Sequence, residues 1–295
     1  SRFIRHRMIR LATRSSAQAR TQAEVVAQSI TSATGLPVEL VFVETLGDRN
    51  KDQPLHQIGG QGIFVKEVQQ AVLRGDADIA VHSAKDLPSQ HAEGLVIGAW
   101  CERRDARDAL VGKSLNELEL GATVATGSVR RRAQLVTVRP DLKFVELRGN
   151  IHTRLEKIPH NGSIVMAIAA MQVLGITDKI AEELATTEFV PMVGQGCVAV
   201  ECREGDSDTL AAIAGVDHAR TRFAVEIERA FLAELGAGCS MPVGAYVNEA
   251  NVLSTFMATG PTTSDRHVKF VETVPSVDAH EFARELARKS QSALA

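Results

Sequence analysis

Apolar runs and amphipathic stretches alternate along the first hundred residues, and short polar segments separate them. The runs are residues 9–13, 38–43, 65–73 and 79–82, with a helical pattern from about Ser16 to Ser32 after the first. We interpret the run at 65–73 as a strand, so the run ending at His82 is the fourth. This alternation predicts an α/β lobe with a largely parallel sheet.

A second alternation begins after the charged stretch 102–108, with strand patterns at 123–125, 143–147 and 164–167. It predicts a second α/β lobe, after which a strand at 197–201 returns to the first lobe. The remainder contains a long helix through 226–235, strands near 245–247 and 268–274, and a last helix from about Val277, an order typical of α+β structure. The predicted domains are residues 1–101 with 197–216, residues 102–196, and residues 217–295.

Composition places this chain of 295 residues, 44% hydrophobic and 23% charged, among ordinary globular proteins of two or three domains. A net charge of -3 and 4% aromatic residues argue against nucleic-acid or anionic-membrane partners. Neither a spanning apolar run nor a secretory segment is present, which favours a cytoplasmic protein. The four cysteines and nine histidines show no metal-ligand spacing, so we expect no metal site.

Polar residues that follow predicted strands are the candidates for chemistry, because ligands bind beyond the carboxyl ends of parallel strands. Arginines, a hydroxyl and backbone amides converge where residues 127–132 open a predicted helix, which favours carboxylates. With Arg14, Arg148 and Arg154 added, the positive charge suits a polyanionic ligand. The alternative is a solvated helix face, to which Arg132 is better suited than Arg130 and Arg131.

Two further segments allow two interpretations each. Asp86 lies beside Lys85 and close before Pro88, where it could stabilise a cation, move a proton, or simply form a turn or helix cap. The segment 59–62, which contains Gln61, is either a mobile loop over a cleft or a plain glycine-rich linker.

Cys239 lies in the run 236–244, where small residues leave its thiol uncovered by neighbouring side chains. Glycine allows positive φ and close approach to a bound group, and Pro242 restricts the residue before it. The thiol could hold a group covalently, or it could be a small buried side chain after a helix.

These segments together closely resemble porphobilinogen deaminases, also called hydroxymethylbilane synthases, over nearly the whole chain. The motifs that carry the resemblance, in the family's order and spacing, are residues 11–16, 62–67, 78–88, 128–131, 147–150, 194–196 and 238–244. The resemblance implies a three-domain α/β fold, with two lobes similar to periplasmic binding proteins and a smaller α+β C-terminal domain.

The resemblance also implies a transferase of porphyrin and heme biosynthesis, which is expected to be monomeric. It would join four porphobilinogen molecules head to tail on a dipyrromethane cofactor, with loss of ammonia, and water would release the linear tetrapyrrole. Cys239 would hold the cofactor by a thioether, and Asp86 would be the catalytic carboxylate. The residues implied in cofactor binding are Lys85, Asp86, Thr126, Ser128, Arg130, Arg131 and Arg154. Arg14, Ser16 and Arg148 would bind the incoming pyrrole.

Three positions depart from the family pattern. Gln61 stands where a lysine is common, Gly127 where a serine is frequent, and Gln172-Val173 where many relatives have a basic pair. These changes remove expected ligands for carboxylates. The alternative function is a non-catalytic bilobal protein that binds a small anion, since Arg130, Arg131 and Arg148 would serve it equally well and Cys239 would not be needed.

Overall fold

The computed structural model of the chain describes residues 8–53, 62–236 and 241–295. Its helices are α1 Ala17–Thr34, α2 Leu46–Arg49, α3 Lys66–Leu73, α4 Val129–Val138, α5 Ile151–Glu156, α6 Ile168–Val173, α7 Ser207–Ile213, α8 Ala219–Leu235 and α9 Ala279–Leu294. Its strands are β1 Ile9–Arg14, β2 Val38–Val43, β3 Ile79–Ser83, β4 Leu95–Trp100, β5 Asp108–Gly112, β6 Thr123–Ala125, β7 Lys143–Val145, β8 Ser163–Ala167, β9 Ile180–Glu183, β10 Val198–Arg203, β11 Val243–Val247, β12 Val252–Ala258 and β13 His267–Thr273.

The chain divides into two compact units. The first comprises Ser1–Asn50, Ile58–Arg103 and Cys197–Arg222, and the second comprises Lys51–Gln57, Arg104–Gly196 and Phe223–Ala295. The three-domain division expected from the sequence stays a prediction.

The first unit contains a five-stranded sheet in the order β2-β1-β3-β10-β4. Strand β1 pairs in parallel with β2 and β3, whereas β10 is antiparallel to both β3 and β4. The apolar side chains of Leu11, Ile79 and Val200 pack with Ile30 of α1 on one face. The strand expected at 197–201 therefore does return to the first sheet.

The segment at 65–73, which we interpreted as a strand, is instead the helix α3. Its buried apolar residues, Val68, Ala71 and Val72, recur at the three- and four-residue spacing of a helix and pack with Ala12 and Ala80 of the sheet. The strand assignment was wrong because valine-rich short runs fit both periods.

The sheet of the second lobe has the order β7-β6-β8-β5-β9 and lies in the second unit. β6 is parallel to β7 and β8, and β5 is antiparallel to β8 and β9. In both sheets the three strands that pair in parallel stand in the order second, first, third of their sequence order, followed by one antiparallel strand and a last edge strand. The predicted class of two α/β lobes is confirmed.

The C-terminal part of the second unit is an antiparallel sheet in the order β11-β12-β13. Its core joins Phe231 of α8 and Leu286 of α9 to Leu253 and Met257 of β12. The predicted α+β character is confirmed, although β12 itself was missed because Ser254 and Thr255 interrupt its apolar pattern.

Candidate active site

The end of β1 in the first unit carries Arg14 and Ser16. The Oγ atom of Ser16 accepts a hydrogen bond from the backbone N–H of Ala19 at 3.3 Å, so Ser16 is the N-cap of α1. Arg14 Nη2 lies 2.5 Å from Asp48 Oδ1, and its guanidinium lies 4.2 Å from the centre of the Phe64 ring. Arg14 is therefore held by an internal carboxylate and an aromatic face.

The side chain of Asp48 is also held by Thr45, independently of Arg14. Thr45 and Asp48 form a capping box at α2, in which each side chain accepts from the other's backbone N–H. Burial acts to raise the pKa of Asp48, but hydrogen bonds from Arg14 and Thr45 outweigh it and lower that pKa. Asp48 could not be identified as the partner of Arg14 from the sequence, because that pairing joins residues 34 positions apart.

Asp86 follows the neighbouring strand β3, which continues into a single 3-10 turn, Ala84–Asp86. The N–H of Ala84 donates to the carbonyl of Cys197 at 2.9 Å, and Leu87 is buried just after the turn. Asp86 and Lys85 are both partly buried. Within the described residues the Asp86 carboxylate forms no hydrogen bond or ion pair, so it neither caps a helix nor is neutralised there.

Three buried polar side chains cluster next to the end of β3. His82 Nε2 lies 2.7 Å from Glu201 Oε1. Gln69 Nε2 donates to the same oxygen at 2.9 Å. The three side chains join β3, β10 and α3, so they hold the strand that carries Asp86 between its neighbours.

In the second unit, the turn after β6 places Thr126 and Ser128 at the start of α4. The Oγ1 of Thr126 accepts from the N–H of Ser128 at 3.1 Å, and the Oγ of Ser128 accepts from the N–H of Arg131 at 3.2 Å. Thr126 is buried, whereas Ser128 is partly exposed. Ser128 is thus the N-cap of α4, as Ser16 is of α1.

Arg130 and Arg131 share the internal carboxylate of Asp108. Arg130 Nη1 lies 2.8 Å from Asp108 Oδ2, and Arg131 Nη2 lies 2.9 Å from Asp108 Oδ1. Gln195 Nε2 donates to Oδ1 at 2.9 Å, and Arg130 also donates to the carbonyl of Val190 at 2.8 Å. The two arginines are therefore brought together, but much of their hydrogen-bonding capacity is used inside the protein.

The electrostatics of this cluster follow from its burial. Burial acts to raise the pKa of Asp108, but the two guanidinium charges and the hydrogen bonds of Arg130 and Gln195 hold it well below its usual range. The pKa of Arg130 is lowered because burial disfavours its charge more than Asp108 favours it. Arg131 is somewhat more exposed than Arg130, at 11% against 6% of the side chain, so it is the better placed to meet a ligand.

Arg148 and Arg154 flank the N-terminus of α5. Arg148 Nη1 donates to the backbone carbonyl of Gln53, and burial lowers the pKa of Arg148. Arg154 Nε donates to the carbonyl of Gly149 at 2.8 Å. The side chain of Asn150 caps α5 by accepting from the N–H of Thr153. Both arginines are thus placed by the loop that follows β7.

Two of the departures from the family pattern lie within the described residues. A β-carbon on Gly127 would come within 2.9 Å of the carbonyl oxygen of Leu147, so this position requires glycine for close approach. Gln172 Oε1 accepts from the backbone N–H of Asp105 at 3.2 Å and therefore has a structural contact. Gln61 and Cys239 lie outside the described residues.

The donors around α4 fit a ligand that carries carboxylates. The Nε atom of Arg132 has no hydrogen-bond partner among the described residues. Unused guanidinium donors at the start of a helix are the groups that recognise carboxylates. The dipyrromethane cofactor, with its acetate and propionate groups, is compatible with this donor set.

The described residues contain no group of three or more His, Cys, Asp or Glu side chains that could hold a metal ion. None of their helices is both long and apolar enough to cross a bilayer.

Comparison with known proteins gives a consistent result. The family model "Porphobilinogen deaminase, dipyromethane cofactor binding domain" matches residues 9–211, and "Porphobilinogen deaminase, C-terminal domain" matches residues 222–290. A relative named porphobilinogen deaminase from Thermobifida fusca is 41% identical over 291 residues, which are 95% of this chain and 91% of the relative. Another of that name, from Geotalea uraniireducens, is 41% identical over 81% of this chain and 76% of its own length.

Among solved structures, the methionine binding protein MetQ aligns with a TM-score of 0.46 and 15% identity, covering 74% of this chain and 94% of that one. A likeness this weak adds nothing to the strand order described above. The two family models together span most of the sequence. The chain therefore belongs to the porphobilinogen deaminase family.

Proposed function

We propose that Asp86 is the catalytic carboxylate with which this chain performs the reaction of its family, hydroxymethylbilane synthesis. The activity follows from family membership: four porphobilinogen molecules are joined head to tail with loss of ammonia, and the linear tetrapyrrole is released by water. One observation supports the role of Asp86. Its carboxylate lies at the end of β3 and is not neutralised by any described residue.

Asp86 acts by electrostatic stabilisation. Loss of ammonia leaves positive charge on the incoming pyrrole, and a fixed carboxylate next to the ring N–H stabilises that charge. Such preorganised stabilisation is worth about 100- to 1,000-fold in rate. Because the 3-10 turn is held by Cys197 and by buried Leu87, the carboxylate does not need to be reoriented at each step.

The basic residues bind the carboxylates of the pyrrole units. Ser128 and Arg131 would hold the cofactor directly, together with Lys85 and Arg154. Thr126 and Arg130 are buried, and they support that role through Ser128 and Asp108 respectively. Arg14, Ser16 and Arg148 would bind the incoming porphobilinogen. For Arg14 this requires sharing or exchanging its partner Asp48.

Cys239 is the anchor of the dipyrromethane, which when bound supplies the primer to which new units are added. The other three cysteines are poor candidates for attachment, since a thiolate is the reactive form. Burial raises the pKa of Cys101 to about 12 and that of Cys202 to about 11, and Cys197 is buried. Cys239 is the remaining cysteine of the four in the sequence.

Intact mass spectrometry tests this proposal. The purified protein should exceed its polypeptide mass by one dipyrromethane, and Cys239→Ser should lose that increment. Cys101→Ser, as the matched control, should keep it. A wild-type mass equal to the bare polypeptide, both as purified and after incubation with porphobilinogen, would contradict the proposal.

The alternative of a non-catalytic anion-binding protein is not favoured by the family membership. We also propose that the enzyme acts as a monomer in the cytoplasm with porphobilinogen as its partner, and that it binds neither nucleic acid nor membrane. The negative net charge of -3 and the family resemblance support this.

A further inference from the structure

An exposed carboxylate of the chain, that of Glu146, lies beside the start of α4. Glu146 directly follows β7, and its Oε1 lies 3.6 Å from Nη2 of Arg132. Its Oε2 lies 3.4 Å from the position that a β-carbon on Gly127 would take. Because Gly127 precedes Ser128, the N-cap of α4, Glu146 lies next to the donors that suit a ligand carboxylate.

Glu146 interacts with two arginines. Its charge acts to raise the pKa of Arg148, against the lowering that burial causes. Arg132 is the other partner, and its guanidinium also lies 5.4 Å from the centre of the Phe144 ring. Arg132 shares a helix face with Ser128, four residues earlier, so it faces the same turn as the cap.

In the contact between Glu146 and Arg132, a ligand carboxylate could take the place of Glu146. Glu146 is 47% exposed and Arg132 is 27% exposed, and ion pairs of this exposure contribute little to stability. The buried Nε of Arg132 has no hydrogen-bond partner in the described part of the chain, so the guanidinium has a donor to offer. A second carboxylate could therefore replace Glu146 at small cost to the fold.

We propose that Glu146 tunes ligand affinity by competing with the carboxylates of the pyrrole chain for Arg132 and Arg148. This inference rests on the proposed function. Glu146 weakens the binding of each pyrrole unit, and it prevents the site from retaining a polyanionic product. Arg132 becomes a ligand of the chain once Glu146 turns away into solvent.

The substitution Glu146→Gln tests the inference, because it removes the charge and nearly keeps the size. Calorimetry would measure binding of a porphobilinogen analogue without the aminomethyl group to the holoenzyme. Binding should be about twofold to fivefold tighter in the variant at low salt. The gain should shrink as salt is added, since the Debye length falls to about 8 Å at physiological ionic strength.

Glu119→Gln is the matched control, because Glu119 is exposed in the same lobe but precedes β6 at the amino end of the sheet. It should leave the affinity unchanged. Arg132→Gln should weaken analogue binding more in the Glu146→Gln background than in the wild type, because Arg132 is no longer partly neutralised there.

Equal affinities in Glu146→Gln and Glu119→Gln, or weaker binding in Glu146→Gln, would overturn the inference. The affinities are measured only on protein whose intact mass includes the bound cofactor. Failure of the proposed function is distinct, because it would appear as a wild-type protein of bare polypeptide mass.

Discussion

The two lobes have the same strand order, yet Asp86 in the first lobe and the arginines of α4 in the second differ in how far their charges are already neutralised. In the first lobe, Asp86 has no charged partner among the described residues. In the second lobe, Arg130 and Arg131 converge on the buried carboxylate of Asp108. The difference separates two tasks, since a reacting group must keep its charge available and a binding surface must hold its charges in fixed positions.

The comparison also shows how differently three successive residues can act. Arg130 is buried against Asp108, Arg131 is shared between Asp108 and the surface, and Arg132 meets Glu146 in an exposed pair. A motif of three arginines therefore does not supply three equivalent ligands. On a helix, consecutive side chains point about 100° apart, so each meets different neighbours.

The largest expected effect concerns the buried cluster. Asp108→Asn should lower the free energy of unfolding by about 3–5 kcal/mol, because it leaves two guanidinium groups without their buried counter-charge. Urea unfolding would measure the loss. Asp141→Asn, which affects a more exposed pair with Arg139 and a hydrogen bond from the Gly121 N–H, should cost less. A loss no greater than in Asp141→Asn would contradict the structural role of Asp108.

The loss of stability in Asp108→Asn should depend on pH. The pKa of Asp108 is lowered in the folded state, so its stabilisation is present above the ordinary carboxyl pKa of about 4 and is lost as pH falls through the lower folded value. The stability difference between wild type and Asp108→Asn should therefore narrow below about pH 4. A difference that stays constant to lower pH would show that Asp108 is not held ionised.

Asp86→Asn should lower turnover of porphobilinogen by about 100- to 1,000-fold while the cofactor remains attached. Asparagine keeps the size and removes the charge, so the comparison tests electrostatics. Rate assays with intact mass measurement would check both parts. Asp76→Asn, at an exposed position of the same unit, should leave turnover unchanged. Near-normal turnover in Asp86→Asn would refute the catalytic assignment.

The variants Arg130→Gln and Arg131→Gln would distinguish a residue that stabilises the fold from a residue that binds the ligand within one motif. Arg131→Gln should lower turnover of porphobilinogen by about tenfold, as expected for loss of a charge-assisted hydrogen bond to the cofactor. Arg130→Gln should chiefly reduce the free energy of unfolding, because its contacts are Asp108 and Val190. Steady-state kinetics and urea unfolding of both variants would decide. The reverse pattern would contradict the division of roles.

The smallest expected effects concern the two equivalent helix caps. Ser16→Ala and Ser128→Ala should each lower the free energy of unfolding by about 1 kcal/mol, since each removes the acceptor for a backbone N–H. Thermal unfolding would measure this. If KM rises in one of these two variants and not in the other, the serine replaced in the first also contacts the ligand.

Much of the fold could be predicted from local pattern. The parallel strands are short apolar runs followed by polar residues, so their positions could be predicted from the sequence. Strands β4, β5, β9 and β12 were missed, and β5 starts at Asp108, the last residue of the charged stretch 102–108. The helix α3 was assigned as a strand, because its short apolar run fits either period.

The candidate site was less predictable than the fold. The sequence places Asp86, Ser128 and Arg131 after strands, where ligands bind. It does not reveal that Asp108 will neutralise Arg130 and Arg131, because that pairing depends on an antiparallel strand inserted between elements distant in sequence. A carboxylate directly before the apolar run at 109–111 was the one available signal.

The position of β10 has a consequence for synthesis on the ribosome. Strand β4 lies at the edge of the first sheet and is hydrogen-bonded to β10, which is translated about a hundred residues later. At about 5–20 residues per second, Leu95–Trp100 must wait roughly 5–20 s for its partner. During that interval a strand that becomes largely buried is exposed to other nascent chains. Chaperone dependence should therefore be greatest between synthesis of β4 and of β10.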